Sequence, residues 1–172
     1  MGVQSSFGFT LGRMEKGRLN KITDVPGVRV GHVTRHEGGI NTGVTAILPH
    51  TGDMFHDKCP AASHVINGFG KSIGLVQVNE LGTIETPLLL TNTLSVGTAA
   101  TALVKYMLER NEDIGRDTGT VNPMVFECND GHLNDIRGLH VTEQNALDAL
   151  ANAADDFEEG AVGAGSGMSC YS

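Results

Sequence analysis

The stretch from Met124 to Gly138, MVFECNDGHLNDIRG, constrains the fold of this chain more than any other. Three apolar residues lead into a run of polar ones, so a buried strand is predicted to end where a polar turn begins. Asn129, Asp130 and Gly131 favour a turn, because Asn and Asp side chains bond nearby backbone and Gly accepts positive φ. Ligands of open α/β sheets bind at the carboxyl ends of strands. The stretch therefore predicts a site, and the competing interpretation is a solvated turn.

Short β-branched runs bounded by Gly and Pro predict several strands. The first two of these runs are separated by the loop HEGGINT, and we expect them to pair as a hairpin. The predicted strands are Val28–Val33, Gly43–Pro49, His64–Asn67, Ile73–Val78, Thr86–Thr91 and Met124–Cys128.

Two helices are predicted from apolar residues that recur at helical spacing. The first spans Val96–Arg110, with Ser95 at its N-cap position. The second spans Thr142–Glu159, with Phe157 at the end of its apolar face and Gly160 closing it. Irregular structure is expected at residues 1–20 and 111–122.

Length and charge exclude several classes of function. A chain of 172 residues is expected to form one domain. Its net charge of -8, with twelve scattered basic residues, argues against a nucleic-acid partner. The sequence contains neither an apolar run of about 18 residues nor an apolar N-terminal segment, so no membrane partner and no signal peptide are predicted.

Cysteines and glycines exclude further kinds of site. Cys59, Cys128 and Cys170 lie far apart without a CxxC pair, so neither a disulfide framework nor a zinc ribbon is indicated, and a cytoplasmic location is expected. The segment NGFGKS resembles a phosphate loop. However, Val65 and Ile73 stand where the nucleotide-binding patterns require Gly, so both nucleotide interpretations fail on spacing.

Several segments together resemble the DmpA/BapA-type aminopeptidases, also called L-aminopeptidase/D-esterases or β-peptidyl aminopeptidases. The resemblance covers nearly the whole chain in order. It rests on ITDVPGVRVGH, GVTAILP, INGFGKSIGLVQVNELGTIETPLLLTNT, TNTLSVGTA, MVFECNDGHLNDIRG, LNDIRGLHVT and VGAGSGMSCY.

This resemblance implies an α/β fold, namely a four-layer αββα sandwich similar in architecture to the N-terminal-nucleophile hydrolases. It also implies release of N-terminal residues from small peptides, amides or esters that carry a free amine. Relatives cut themselves before a Ser that becomes the nucleophile. That Ser is expected outside these 172 residues, so the chain is expected to be most of an α subunit that needs a complementary β subunit. A homo-oligomer is expected, and no metal or organic cofactor is implied.

Four residues are candidates for the site. By resemblance, Glu127 faces the amine of the substrate with Asn129 beside it; alternatively, Glu127 only caps the turn. Asn92 follows a strand and precedes a helix, where amide groups can converge on a carbonyl oxygen, or it only caps that helix. His132 stands where many relatives carry a Tyr beside the nucleophile, and its imidazole would change charge near neutral pH.

Two other functions compete with the aminopeptidase. An acyltransferase of the ornithine acetyltransferase class uses an N-terminal Thr in a related architecture, and the segment that carries the nucleophile would distinguish the two. The second competitor is a non-catalytic scaffold or assembly subunit. His132 in place of Tyr, and a nucleophile outside the chain, are the features that favour it.

Overall fold

Two sheets and three α-helices are formed by residues 12–169, the part of the chain that the computed structural model describes. The predictions for residues 1–11, for Cys170 and for Ser172 lie outside it. The strands are β1 (Arg29–Glu37), β2 (Ile40–Leu48), β3 (Cys59–Pro60), β4 (Ser72–Ile73), β5 (Thr83–Ile84), β6 (Leu88–Thr91) and β7 (Met124–Glu127). The helices are α1 (Leu75–Leu81), α2 (Val96–Arg110) and α3 (Glu143–Ala151).

The main sheet has five strands in the order β1-β2-β6-β7-β4. The predicted hairpin of β1 and β2 is confirmed, but its strands continue through most of HEGGINT, because Glu37 pairs with Ile40 and leaves only Gly38 and Gly39 as the turn. β6 and β7 are parallel and are connected by α2, whereas β4 is antiparallel to β7. The parallel pair brings the carboxyl ends of β6 and β7 to one edge of the sheet.

The main hydrophobic core lies between this sheet and helices α2 and α3. Val44, Leu89 and Val125 point from three neighbouring strands toward Leu103 of α2 and Leu150 of α3, and all five are at most 4% exposed. α3 approaches β1 so closely that a Cβ at Gly31 would collide with the helix backbone at Ala149. Burial of apolar surface therefore fixes this helix layer against one face of the sheet.

The opposite face of the sheet is covered in parts. α1 and the β3–β5 pair cover Met124 and Phe126. Residues 162–168 cross β1 and β2, where the Gly163 N–H donates to Thr34 Oγ1 at 2.8 Å. Ile47 and Leu90, on adjoining strands, are only half-buried. A sheet with helices on one face and half-buried apolar side chains on the other agrees with the predicted αββα sandwich.

Two of the predicted strands are wrong. Residues 64–67 form no strand, and since Val65 and Ile66 are 54% and 90% exposed, they have no buried face with which to pair. Ile73–Val78 contains only the end of β4. Gly74, at φ 104°, then reverses the chain into α1, whose Leu75 and Val78 reach the core at helical spacing.

The predicted bounds of α2 are confirmed, whereas those of α3 are wrong at its end. Its predicted cap, Thr142, does accept the Asn145 N–H. However, α3 ends at Ala151, because the backbone of Ala154 pairs with Val30 of β1 instead of continuing the helix. Phe157 therefore lies beyond the helix, and Gly160 does not close it.

Candidate functional site

The candidate site lies where β6 and β7 end. Thr91 and Glu127 are register partners at the carboxyl ends of these parallel strands. The pairing continues one residue further, since the Cys128 N–H donates to the Thr91 carbonyl at 2.7 Å. The segments that follow the two strands, beginning with Asn92 and with Cys128, are therefore held side by side.

Glu127 lines a pocket of about 440 Å³. Its backbone is fixed by a 3.0 Å hydrogen bond from its N–H to the Lys71 carbonyl. Its Oε2 atom is buried and has no hydrogen-bond partner among residues 12–169. The pocket has an apolar wall that includes Leu75 and Phe126, and Lys71 and His64 also line it. A carboxylate that lines a pocket of mixed polarity and has an oxygen without a partner can accept a charged N–H donor from a ligand.

Asn129 is exposed and forms the turn that the sequence predicts. Its Oδ1 accepts the Gly131 N–H at 3.0 Å, which is a local turn contact. The turn is thus capped by Asn129 itself, so the alternative role of Glu127 as its cap has no support in these contacts.

Asn92 is 1% exposed, and its side chain is engaged at both ends. Its Nδ2 donates to Thr42 Oγ1 at 3.0 Å, and its Oδ1 accepts the Ser95 N–H at 3.0 Å. Asn92 therefore caps the 3-10 turn Thr93–Ser95 that leads into α2, whereas the Ser95 side chain, at the N-cap position of α2 itself, makes no capping bond. Asn92 directly follows β6 and connects the end of that strand to Thr42 of β2.

His132 is exposed, unlike Asn92, and lies in the turn two residues after Asp130. The loop that carries it packs on the β1–β2 hairpin, because Asn41 donates its N–H to Asn134 Oδ1 at 3.0 Å and its Nδ2 to the Leu133 carbonyl at 2.7 Å. The predicted site residues thus divide into a buried one, a half-buried one and two exposed ones on the same loop.

Asp130 is the residue that sequence reasoning missed. It is 1% exposed, and neither carboxylate oxygen has a hydrogen bond of standard geometry among the described residues. Burial raises the pKa of Asp130 above its usual range, and the nearby side chains of Thr42 and Asn134 act in the opposite direction. An Asp in a polar turn is normally solvated, so the sequence contains no signal of this burial.

Cys128 lies between the two carboxylates and is half-buried. Burial raises the pKa of its thiol, and the charges of Asp130 and Glu127 raise it further. A thiol held neutral is a weak nucleophile. Cys128 is therefore a poor candidate for covalent catalysis.

Buried polar atoms without hydrogen-bond partners are concentrated at this edge of the sheet. Apart from Thr23 Oγ1, all those found within residues 12–169 follow β6 or lie at and after the end of β7. Such atoms are rare in folded proteins and call for a physical explanation. They are Thr93 Oγ1, Ser95 Oγ, Glu127 Oε2, both oxygens of Asp130 and Asn134 Nδ2.

Within residues 12–169, no three His, Cys, Asp or Glu side chains converge as metal ligands would. Among the described helices, none has both the length and the apolar character needed to cross a membrane.

Comparisons with known proteins agree on one family. Residues 20–172 match the model of peptidase family S58. The chain is 38% identical over 165 residues to the β-peptidyl aminopeptidase BapA of Sphingosinicella microcystinivorans, covering 90% of this chain and 40% of the relative. It is 35% identical, with the same coverage, to BapA of Sphingosinicella xenopeptidilytica.

Solved structures show the same similarity in three dimensions. A protein from Pyrococcus horikoshii OT3 superposes with a TM-score of 0.93 at 55% identity, covering 96% of this chain and 50% of that one. A Burkholderia sp. β-aminopeptidase gives 0.87 at 45%, covering 97% and 48%. The Ochrobactrum anthropi L-aminopeptidase D-Ala-esterase/amidase, a variant of the Ntn hydrolase fold, gives 0.83 at 35%, covering 94% and 47%. The predicted fold class is confirmed, and the chain spans half or less of each relative.

Proposed function

The chain belongs to peptidase family S58, and we propose that the complete protein is a serine-type aminopeptidase that releases N-terminal residues from small peptides, amides or esters. Curated relatives named β-peptidyl aminopeptidase support this assignment. The family match favours a hydrolase over the acyltransferase of the ornithine acetyltransferase class.

Glu127 carries the proposal. Its side chain lines the 440 Å³ pocket, and its buried Oε2 has no hydrogen-bond partner within residues 12–169. A substrate ammonium would supply the missing donor through a charge-assisted hydrogen bond, and an N-acetylated substrate would not. We assign to Glu127 recognition of the free amine, with Asn129 and His132 on the adjoining loop facing the same substrate.

The nucleophile is proposed to be a Ser outside this chain, exposed as a new N-terminus by autoproteolysis. The half-buried Ile47 and Leu90 on the open face of the sheet support a complementary β subunit, because packing that face would bury them. We also propose a homo-oligomer. A cytoplasmic location is proposed because Cys59 and Cys128, the described cysteines, are free thiols.

Asn92 is proposed to support the site from a buried position. Since its side chain is 1% exposed and bonded to Thr42 and Ser95, it cannot reach a substrate in this arrangement. A direct contact with the carbonyl oxygen, as the sequence suggests, requires that the complete enzyme uncover Asn92. Otherwise Asn92 supports the strand ends.

Hydrolysis of paired substrates tests the proposal. The complete protein is assayed with amino-acid p-nitroanilides that carry a free amine and with their N-acetylated counterparts. We expect the free amines to react at least about tenfold faster, the worth of one charged hydrogen bond. Equal rates would refute amine recognition, and no hydrolysis of either substrate would favour the non-catalytic scaffold. Intact mass of the same sample should show two fragments that sum to the full gene product.

A further inference from the structure

Gly70 lies beside Glu127, and both residues line the 440 Å³ pocket. Among the described residues, apart from its chain neighbours, a Cβ atom placed on Gly70 would meet a single atom within 4 Å, Glu127 Oε1 at 3.7 Å. The sheet explains this closeness, because Ser72 pairs with Phe126 in the antiparallel β4–β7 ladder and the Lys71 carbonyl accepts the Glu127 N–H. The missing side chain of Gly70 therefore leaves one side of the Glu127 carboxylate uncovered.

Neither backbone conformation nor packing requires a glycine at position 70. The φ angle of Gly70 lies outside the left-handed region that favours glycine, so an alanine could adopt the same backbone. Within residues 12–169, no backbone atom of another segment and no core side chain approaches the position of its Cβ within 4 Å. A side chain there would change only the space next to Glu127 Oε1.

The cation nearest to Gly70 in sequence does not neutralise Glu127. Lys71 lines the same pocket, but its Nζ donates to the Phe69 carbonyl at 2.6 Å and lies 3.6 Å from the centre of the Phe69 ring. Within residues 12–169, Lys71 and Glu127 form no ion pair. The Glu127 carboxylate is thus left to a cation that does not belong to the described chain.

An ammonium bound to Glu127 Oε1 would compete for space with any side chain at position 70. A charged N–H donor lies about 2.8 Å from a carboxylate oxygen, whereas atoms that are not bonded pack about 3.5 Å or more apart. A methyl group 3.7 Å from Oε1 would therefore exclude an ammonium from the Gly70 side of this oxygen.

We propose that Gly70 is a specificity-determining residue: its lack of a side chain keeps the approach to the Glu127 carboxylate open, so that the substrate amine binds on the Gly70 side. The inference rests on the proposed function, since it takes Glu127 as the group that binds the free amine. A larger residue at position 70 should weaken binding of free amines although Glu127 remains in place.

The main experiment compares Gly70→Ala with Gly68→Ala in the complete, processed enzyme. Gly68 is the matched control, because its φ also lies outside the left-handed region and an added Cβ would meet nothing within 4 Å in the described structure. We expect Gly70→Ala to raise KM for a free-amine p-nitroanilide about tenfold, with kcat changed less than threefold, and Gly68→Ala to leave both unchanged. A wild-type KM in Gly70→Ala, or an equal rise in Gly68→Ala, would overturn the inference.

Side-chain size and stability distinguish obstruction of the carboxylate from misfolding. Gly70→Val fills more of the same space, so it should raise KM further than Gly70→Ala and lower the preference for free over N-acetylated amines in the same order. Both variants should unfold at wild-type or slightly higher denaturant concentration, since replacing a glycine at a compatible φ restricts the unfolded chain. A KM that does not increase with side-chain size, or that rises only together with a lower unfolding midpoint, would refute the obstruction.

The two hypotheses fail differently. A wild-type enzyme that does not distinguish free from acetylated amines removes the proposed function. A wild-type enzyme that does distinguish them, together with a Gly70→Ala variant that has the same KM and the same preference, removes only the role of Gly70.

Discussion

Glu85 and Asp130 are two buried acids at opposite ends of the parallel strand pair, and their surroundings differ completely. Glu85 precedes β6 and is 4% exposed; its Oε2 lies 2.6 Å from Lys58 Nζ, and its Oε1 accepts the Asn122 N–H at 2.8 Å. Asp130 follows β7 and has no hydrogen bond of that quality among the described residues. The two acids are therefore equally buried, but only the Glu85 carboxylate has hydrogen-bond partners.

The difference separates an end of the sheet whose buried polar groups are paired from the end that carries the proposed site. At the Glu85 end, the chain supplies a cation and a backbone donor from its own loops, which connects residues 58, 85 and 122 into one structural unit. At the Asp130 end, unpaired polar atoms accumulate around the proposed amine site. Buried polar groups without hydrogen-bond partners are expected at functional sites, and stable packing elsewhere offsets their cost.

Glu85→Ala should give the largest effect on stability. Removing this acid leaves Lys58 without its carboxylate and the Asn122 N–H without an acceptor, which should lower the free energy of unfolding by about 3 kcal/mol or more. Chemical denaturation of the complete protein measures it. Activity per folded molecule should stay the same, and a large loss of activity in the folded fraction would break the comparison between the two ends.

Glu127→Gln should have the opposite effect, lowering activity while leaving stability nearly unchanged. The variant keeps the shape but loses the charge, so transition-state stabilisation for free-amine substrates should fall by about 1.5–3 kcal/mol, measured through kcat/KM. Unfolding should change little, because Glu127 Oε2 has no partner within the described chain. Acetylated substrates serve as the control, since their kcat/KM should be unaffected.

The elements that sequence predicted best are those whose signals are local. The predicted bounds of α2 match the observed ones, because apolar residues recur at helical spacing along all fifteen residues and indicate one buried face. The strand and turn from Met124 to Gly131 were also predicted, since the apolar run and the Asx turn are adjacent in sequence. This stretch alone predicts at which edge of the sheet the candidate site lies.

The failures have two kinds of cause, an ambiguous local pattern and contacts far away in sequence. α1 is seven residues long and begins after Gly74, so its apolar residues could not be distinguished from those of a strand by periodicity. α3 ends early because Ala154 pairs with β1, a contact far away in sequence. The loop that carries Asp130 likewise packs on the distant β1–β2 hairpin, where Asn41 donates to Asn134 Oδ1. Tertiary contacts overrode local preference at α3 and at Asp130, whereas α1 is too short for its pattern to be decisive.

Asp130→Asn should stabilise the protein by about 1–2 kcal/mol near neutral pH, since it removes a buried charge. The folded-state pKa of Asp130 is raised above 3.8, chiefly by burial. Its contribution to stability is therefore full below pH 3.8 and is lost as pH rises through the raised pKa. The advantage of the variant should shrink as pH falls toward 3.8, with Glu127 and Cys128 as the nearest other titratable groups. A destabilised variant at neutral pH would show that Asp130 is paired like Glu85.

The smallest expected effect concerns His32, whose two ring nitrogens both have hydrogen-bond partners. Its Nε2 lies 3.0 Å from the Glu158 carbonyl, which only accepts, so Nε2 carries the proton and Nδ1 accepts from Thr45 Oγ1 at 2.9 Å. Thr45 Oγ1 in turn accepts the Ala164 N–H, which holds the residue 162–168 segment on the sheet. This arrangement uses the neutral ring.

Acidification should therefore loosen that segment. Burial lowers the pKa of His32 below 6.5, with the Glu158 carbonyl and charge opposing the shift. The stability that neutral His32 provides is present above pH 6.5 and is lost as pH falls through the lowered pKa. We expect an effect below about 1 kcal/mol, because the ring is partly solvated. Hydrogen exchange at Ala164 between pH 7 and pH 5, corrected for intrinsic rates, should show it in wild type and in the His36→Gln control. The pH dependence should be absent in His32→Gln, and its persistence there would assign it to another group.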